Sequence, residues 1–280
     1  MKKSTLSILS LLAILLIACN SESTKQESEN SSSSFNKKSE EEGFAEAHDE
    51  PIQIDYQSKG EMEQISIQNA DPTQIYSLKR DENINNYLIL VHEWWGLNDF
   101  VKRAADYSYR KLKNVNVIAI DLYDGKQASK REEAKKLMQA VSDERAYEII
   151  DGVMEHIGPE ANIATLGWCF GGGWSMKTAI RAGKQTQGCV MYYGMPVQDL
   201  EELAKLNSDL LFIYGTQDNW IDQGVAEELK SNCEALNKEI NVLAFDADHA
   251  FANPTQKTYN QSAAKEANSA AIEYLKAKFN

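Results

Sequence analysis

The chain of 280 residues has only four histidines and four cysteines, and they lie far apart. Metal sites built from these residue types use ligand pairs at short, regular spacings, and no such pair occurs. The stretch HEWWG, which begins at His92, has no second histidine four residues later, so the zinc-protease helix motif is absent. The sequence therefore predicts neither a bound metal nor a cofactor.

Basic residues are outnumbered by acidic ones, with 29 Lys and Arg against 42 Asp and Glu, and the formal net charge is −13. Because no basic stripe is available to contact phosphate groups, we expect no nucleic-acid partner. A charge of this sign and size is typical of a soluble acidic protein. No feature of the sequence specifies an oligomeric state.

Long apolar runs are missing except for Leu6–Ile17, which follows two lysines and is shorter than the roughly 20 apolar residues that span a bilayer. These are the proportions of a secretory signal peptide. Ala18 followed by Cys19 resembles the lipobox of bacterial lipoproteins, which implies removal of residues 1–18 and lipidation of Cys19. Ordinary cleavage near Ala18 is the alternative. Either way we expect an exported protein, and lipidation would anchor it to a membrane facing the periplasm or the cell exterior.

Residues 19–50 contain almost no aliphatic side chains and are rich in Ser, Glu, Asn and Lys. Such a segment cannot bury enough apolar surface to offset the entropy lost on ordering. We therefore expect a disordered tether over residues 19–50. The remainder, residues 51–280, has the size of one large α/β domain.

Apolar runs within this domain are typical of strands buried on both faces of a sheet. Such strands are predicted at 87–92, 115–120, 162–167, 189–194, 210–215 and 240–246. Helices are predicted at 99–113, 172–183, 199–206, 224–237 and 261–279, with one or two more between 129 and 157. This alternation favours a mostly parallel sheet covered by helices on both faces. Before it, alternating residues at 52–58 and 63–69 predict a hairpin that turns at Lys59 and Gly60.

Reactive side chains follow several of these strands, where the carboxyl ends of parallel strands meet at one edge of a sheet. Cys169 follows one strand in the stretch TLGWCFGGGW, Asp218 follows another, and His249 follows the last. The order of nucleophile, acid and histidine matches the α/β-hydrolase arrangement, with a cysteine at the nucleophile elbow. The helix predicted to start there would offer backbone N–H groups and a positive dipole end, which favour a thiolate and an oxyanion.

Other assignments of these residues remain open. Cys169 is alternatively an inert packing residue, since free cysteines are often buried. Asp246 and Asp248 compete with Asp218 for the acid position because they precede His249 closely. The two further cysteines of the domain, Cys189 and Cys233, are expected to pack in a strand and a helix, and a bridge between them is an alternative. His92 is expected to be structural and His48 to lie in the tether.

Seven motifs together resemble the dienelactone hydrolase family of α/β-hydrolases, over about residues 60–278: HEWWG, DLYDGK, REEAKKLMQA, GWCFGGG, YYG, YGTQD and DHAF. The resemblance implies a Cys169–His249–Asp218 triad. It implies that Glu93 contacts the thiol in the resting enzyme and is linked to Arg131, which helps to hold the substrate carboxylate. It also implies an oxyanion hole made by the N–H groups of Trp94 and Phe170.

One position departs from the family pattern. Family members that bind a carboxylate have a second arginine four residues after the histidine, and this chain has Asn253 there. The expected function is hydrolysis of a small ester or lactone, without a commitment to a carboxylated substrate. The alternatives are removal of acyl groups from envelope carbohydrate or peptide, and a non-catalytic binding protein that keeps the fold.

Overall fold

A computed structural model describes residues 48–279, and they contain an eight-stranded sheet. Its strands are β1 (Glu61–Ile67), β2 (Ala70–Leu78), β3 (Asn86–Val91), β4 (Asn116–Ile120), β5 (Asn162–Trp168), β6 (Thr186–Tyr192), β7 (Leu210–Gly215) and β8 (Ile240–Phe245). The order across the sheet is β1-β2-β4-β3-β5-β6-β7-β8. β1 pairs antiparallel with β2, and β2 with β4, whereas every other pair is parallel. The predicted mostly parallel sheet is confirmed.

Helices connect the parallel strands. They are α1 (Asp99–Lys111), α2 (Arg131–Ala140), α3 (Asp143–Ile157), α4 (Phe170–Ala182), α5 (Leu200–Leu203), α6 (Gln223–Ala235) and α7 (Gln261–Lys278), with a short 3-10 turn at Gly183–Gln185. Capping side chains fix several starts: Asn98, Ser142 and Asn260 each accept a hydrogen bond from the backbone N–H three residues on. These helices bury apolar faces against a sheet whose β4 and β7 are buried at every residue.

The hairpin lies later in the chain than the sequence predicted. Residues 52–58 form no strand, and β1 turns into β2 at Asn69, whose φ of 62° is left-handed. Asn tolerates this conformation, so Asn69 serves the turn that was assigned to Gly60. Gly60 instead permits close packing, because a Cβ there would lie 2.4 Å from the carbonyl oxygen of Ser77. The prediction was wrong in register because polar–apolar alternation also occurs in exposed, unpaired chain.

The predicted signal peptide over 1–18, Cys19 and the tether up to residue 47 lie outside the described residues. Within residues 48–279, no helix combines the length and the apolar character needed to cross a membrane. The last three residues of the predicted tether are described, and they contact the domain. His48 is buried there, with 4% of its surface exposed.

Two glycines allow β5 to turn sharply into α4. A Cβ on Gly167 would lie 2.0 Å from the carbonyl oxygen of Gly171. A Cβ on Gly171 would lie 2.3 Å from the carbonyl oxygens of both Val91 and His92. The start of α4 therefore sits directly on the carboxyl end of β3, at a distance that only glycine permits.

This contact predicts different effects for two helical Gly→Ala substitutions. Gly171→Ala would force backbone apart, and we expect it to lower the free energy of unfolding by about 1–3 kcal/mol. Gly152→Ala in α3 is the matched control, because its Cβ would first meet a side chain, at 2.7 Å from Cγ1 of Ile67, which can shift more readily than backbone. Chemical denaturation measures both, and equal stabilities of the two variants would contradict the close backbone contact.

Candidate active site

Cys169 lies at the turn between β5 and α4, at the carboxyl edge of the sheet. Its φ of 54° and ψ of −122° fall in a strained region that non-glycine residues rarely adopt. Its backbone N–H donates to the carbonyl of Tyr192, 3.0 Å away, and its carbonyl accepts from Gly172 at 2.9 Å. These bonds hold the strained residue in place. Cys169 is only 1% exposed, so its thiol lies inside the protein.

His249 and Asp218 form a short, buried contact at the same edge. His249 Nδ1 lies 2.6 Å from Asp218 Oδ2, and both side chains are nearly inaccessible. Asp218 Oδ1 accepts the backbone N–H groups of Trp220 and Ile221, at 2.8 and 3.0 Å. The carboxylate is thus fixed from behind, and it fixes the imidazole with Nε2 facing away.

Asp218 is the only one of the three candidate acids that contacts the His249 ring. Asp246 accepts from the Gln217 side chain at 2.7 Å. Asp248 accepts the backbone N–H of His249, also at 2.7 Å. Although Asp246 and Asp248 are close to His249 in the sequence, their carboxylates bind other groups and not the imidazole.

The thiol of Cys169 and the imidazole of His249 face each other. Their nearest ligand atoms lie within 4.8 Å, and His249 Nε2 has no hydrogen-bond partner among residues 48–279. Burial disfavours the imidazolium, but the Asp218 carboxylate and the Cys169 sulfur outweigh burial and hold the pKa of His249 well above its usual value. Burial likewise opposes ionisation of Asp218, yet His249 and two backbone N–H groups lower its pKa. The pair thus favours an imidazolium beside a carboxylate.

Glu93 is a second buried carboxylate at this edge, directly after β3. It accepts a hydrogen bond from Asn253 Nδ2 at 2.5 Å, and the Tyr193 hydroxyl lies 3.4 Å from its other oxygen. Burial raises its pKa to about 7, although the Asn253 contact, the charge of His249 and the Tyr193 hydroxyl all lower it. Within residues 48–279, no ion pair holds Glu93. Its charge therefore changes near neutral pH.

Arg131 is not linked to Glu93, which corrects an expectation drawn from the family resemblance. Its guanidinium donates to the backbone carbonyl of His48 and to Asp49 Oδ1, the latter at 3.2 Å. Asn253 takes the place of the arginine on Glu93. The neutral amide satisfies the carboxylate oxygen without adding positive charge, and Arg131 is held by the N-terminal segment.

Trp94 and Phe170, the expected oxyanion-hole residues, lie on the two segments that meet at Gly171. Trp94 follows Glu93 in the loop after β3, and Phe170 is the first residue of α4. The Trp94 carbonyl accepts the Tyr123 hydroxyl at 3.1 Å, which fixes the loop. The two backbones are therefore held close to Cys169, although their oxyanion role remains a prediction.

His92, next to Glu93, links two strand ends. Leu122 donates its N–H to His92 Nε2 at 3.1 Å, so the proton lies on Nδ1, which donates to the Glu93 carbonyl at 2.6 Å. Burial lowers the pKa of His92 despite the charge of Asp121. A neutral imidazole that is hydrogen-bonded at both ring nitrogens, as His92 is, has a structural role.

Cys189 and Cys233 form no disulfide with each other or with Cys169. Both thiols are buried, and burial raises the pKa of each to about 11. Cys189 lies near the Ser175 hydroxyl inside the sheet layer. The expectation that both cysteines are packing residues agrees with these surroundings, and the alternative of a bridge does not.

Two residues at this site, His48 and Tyr193, were not predicted as part of it, and Asn253 was predicted only as the position where a substrate-binding arginine is missing. The His48 ring lies 4.6 Å from the ring of Trp94 and 4.8 Å from that of His249. Tyr193 has a left-handed φ of 36°, and its ring is 5.1 Å from that of His249. The strained tyrosine follows β6 in the motif YYG, which was a usable signal. The sequence around His48 did not indicate a place in the site, because this residue lies in a polar segment well before the first strand, which begins at Glu61.

The strand order of this sheet is that of an α/β-hydrolase. The strained residue at the β5–α4 turn and the histidine–aspartate pair on later loops also match this fold. The model of the dienelactone hydrolase family matches residues 76–279. The chain therefore belongs to the dienelactone hydrolase family.

Individual relatives agree with this assignment. A carboxymethylenebutenolidase of a Pseudomonas species is 26% identical over 194 residues, which cover 69% of this chain and 79% of the relative. The dienelactone hydrolase of Anabaena variabilis has a similar fold, with a TM-score of 0.59 and 14% identity over 80% of this chain and all of that one. A dienelactone hydrolase-like promiscuous phosphotriesterase from metagenomic libraries gives a TM-score of 0.67 and 16% identity, over 79% and 99% of the two chains.

The raised pKa of Glu93 predicts a pH-dependent stability. Between about pH 4.5 and about pH 7 the folded protein holds a proton on Glu93 that the unfolded chain releases, so this residue makes stability fall as pH rises. Glu93→Gln keeps an oxygen for Asn253 and removes the titration. We expect it to gain roughly 3 kcal/mol relative to the parent across that window, measured by denaturation at a series of pH values.

Glu63 is a control whose pKa is shifted in the opposite direction to that of Glu93. Its pKa is lowered, despite partial burial, by contacts with Lys79 and Ser77, so its contribution is lost as pH falls. Glu63→Gln should therefore lower stability by a constant amount at neutral pH, where the carboxylate contacts are lost, and should lose less stability than the parent as pH falls. A Glu93→Gln variant whose stability runs parallel to that of the parent from acid to neutral pH would refute the raised pKa.

Proposed function

We propose that the protein hydrolyses a small ester or lactone through Cys169, His249 and Asp218. The observation that carries the proposal is the 2.6 Å contact between His249 Nδ1 and Asp218, which leaves Nε2 facing the Cys169 thiol within 4.8 Å. An acid that orients a base, and a base that faces a nucleophile, is the arrangement that activates a nucleophile for acyl transfer.

In the first half of the proposed reaction, the thiol proton has already passed to His249 Nε2, giving the imidazolium that Asp218 stabilises, and the Cys169 thiolate attacks the carbonyl carbon of the substrate. The tetrahedral intermediate collapses as the ester C–O bond breaks, and His249 returns the proton to the leaving oxygen. A thioester on Cys169 remains. Water then attacks the thioester carbonyl, with its proton passing to His249 and finally to the departing thiolate.

The negative oxygen of each tetrahedral intermediate needs donors that are in place beforehand. The proposed donors are the N–H groups of Phe170 and Trp94, on the two backbones brought together at Gly171. A helix N-terminus such as that of α4 adds a favourable dipole for the anion. In this proposal Glu93 contributes a charge that changes near neutral pH close to the nucleophile.

The proposed substrate is an ester or lactone without a required carboxylate. Asp49 already neutralises Arg131, and the family's second arginine is Asn253 here, which is fully buried and bound to Glu93. Arg131 is thus engaged by the N-terminal segment and position 253 offers a neutral amide, which supports a substrate without a required carboxylate. Neutral acyl esters of envelope carbohydrate or peptide fit this requirement as well as small lactones do.

The proposed location is the outer surface of a membrane. The signal-like run Leu6–Ile17 and the lipobox-like Ala18 and Cys19 support export with a lipid on Cys19. Residues 20–47 would then separate the enzyme from the membrane, because their polar composition favours a solvated linker.

Substitution of the nucleophile tests the chemistry. Cys169→Ala is expected to reduce hydrolysis of short p-nitrophenyl esters by at least about a thousandfold, because the acyl-enzyme cannot form. Brief alkylation with iodoacetamide should inactivate the parent in parallel, and mass spectrometry should place the label on Cys169.

The matched control is Cys233→Ala, which removes another buried thiol, in α6. We expect it to retain the activity of the parent. Equal activity of Cys169→Ala and the parent enzyme would exclude a cysteine mechanism, and absence of ester hydrolysis in all variants would favour a binding protein that keeps the fold.

Release of Arg131 should change substrate choice. Asp49→Asn weakens the contact that neutralises the guanidinium, so we expect kcat/KM for an ester with a free carboxylate to rise about two- to fivefold relative to its neutral analogue. Glu50→Gln, which removes only the exposed pair with Lys130, is the control and should leave the ratio unchanged. The same ratio in Asp49→Asn and the parent would show that Arg131 does not meet the substrate.

A further inference from the structure

The N-terminal segment His48–Ile52 contributes a third ligand-type side chain to the site. His48 is 4% exposed, and its ring packs against the rings of Trp94 and His249. A buried imidazole placed edge-on to the proposed catalytic histidine is an unusual use of packing space, because a polar ring is costly to bury.

Several contacts hold this segment to the domain. Asp49 Oδ1 pairs with Lys257 at 2.7 Å in addition to Arg131, and the Ile52 N–H donates to the Thr255 carbonyl at 2.8 Å. The backbone carbonyl of His48 accepts from Arg131. Bonds at the His48 carbonyl and at the residues after it, together with the packing of its ring against Trp94 and His249, therefore hold the ring in place.

The ring faces a thiol and a second imidazole. One ligand atom each from His48, Cys169 and His249 lie within 4.8 Å of one another, and all three residues are buried. Zinc bound to sulfur at about 2.3 Å and to nitrogen at about 2.0–2.1 Å needs tetrahedral ligand atoms about 3.3–3.6 Å apart. The three side chains would reach that spacing with shifts on the order of 1 Å.

The surroundings of His249 match those of a metal-binding histidine. Its Nδ1 lies against the Asp218 carboxylate, and its Nε2 is buried without a hydrogen-bond partner within the described part of the chain. Metal-bound histidines are commonly oriented in this way by a carboxylate on the other ring nitrogen. A thiolate with two imidazoles is a donor set that suits Zn²⁺ over the hard cations Mg²⁺ and Ca²⁺.

We propose that His48, Cys169 and His249 form a binding site for Zn²⁺, and that the bound ion reversibly blocks hydrolysis. Binding releases to solvent the proton that Cys169 and His249 share, so that the sulfur binds as a thiolate and both imidazoles bind in their neutral form. The blocking rests on the proposed function, since the ion occupies the sulfur and the His249 Nε2 that acyl transfer needs. The fourth position is left to water or a small anion.

Metal binding is tested on the full chain, with Zn²⁺ alone in calorimetry and Co²⁺ as an optical probe. We expect one ion per protein and, with Co²⁺, a thiolate-to-metal absorption band together with tetrahedral d–d bands. His48→Phe keeps a ring against Trp94 and His249 but has no ligand nitrogen. We expect it to weaken Zn²⁺ binding by at least about tenfold. His156→Ala, an exposed histidine at the end of α3, is the control and should bind as the parent does.

Ester hydrolysis measured in parallel separates the two proposals. Inhibition of the parent by Zn²⁺, relieved by a chelator and shifted to higher concentration in His48→Phe, is the expected result. Equal Zn²⁺ affinity of His48→Phe and the parent, or a Co²⁺ spectrum without a thiolate band, would overturn the site. Activation by Zn²⁺ would overturn the blocking role. If no ester is hydrolysed but the metal binds with the expected His48 dependence, the proposed function fails and the metal site stands.

Discussion

The contact between the start of α4 and the end of β3 is the constraint on which the site depends. Because Gly167 and Gly171 have no side chains, the start of α4 packs directly against the carbonyl groups of Val91 and His92. That contact forces Cys169 into a left-handed conformation at the tip of the turn. It also brings the first N–H groups of the helix alongside the loop after β3. A reactive position, two candidate donors and a buried carboxylate thus follow from one close approach of two backbones.

Electrostatics at the site divide between two buried carboxylates. Asp218 accepts two backbone N–H groups and the imidazole of His249, so its charge is compensated. Glu93 accepts only from a neutral amide and a hydroxyl, so burial dominates and its pKa rises to about 7. Environments that separate the pKa values of two carboxylates in this way are common where one group must stay charged and the other must change its charge. Because Asn253 carries no charge, its contact leaves Glu93 in the second class.

The sequence predicted the parts of the fold that depend on local pattern. Buried parallel strands such as β7 read as continuous apolar runs, and capped amphipathic helices such as α1 were found within two residues of their observed ends. The chain order of Cys169, Asp218 and His249 brought those residues into consideration together, and the geometry brings them together in space. The early hairpin was misplaced because alternation at 52–58 also suits an exposed segment.

Partners set by tertiary contact could not be predicted in the same way. Arg131 was expected on Glu93, but a nearer carboxylate from the N-terminal segment holds it. His48 lies in a polar segment whose composition gives no reason to pack, and its place is set by tertiary contacts such as the salt bridges of Asp49. A ligand set drawn from residues 48, 169 and 249 has no characteristic spacing, so a search for short metal motifs passes over it.

The placement of His48 and Asp49 also bears on where this enzyme begins as a functional unit. By composition the domain starts at residue 51, yet one wall of the site and the counter-charge of Arg131 come from the residues just before it. A soluble fragment trimmed to that compositional boundary would keep the sheet and Cys169 but expose the imidazole of His249 and free the guanidinium of Arg131. The substrate selectivity measured on such a fragment would be that of an opened site. It would differ from the selectivity of the enzyme that retains His48 and Asp49.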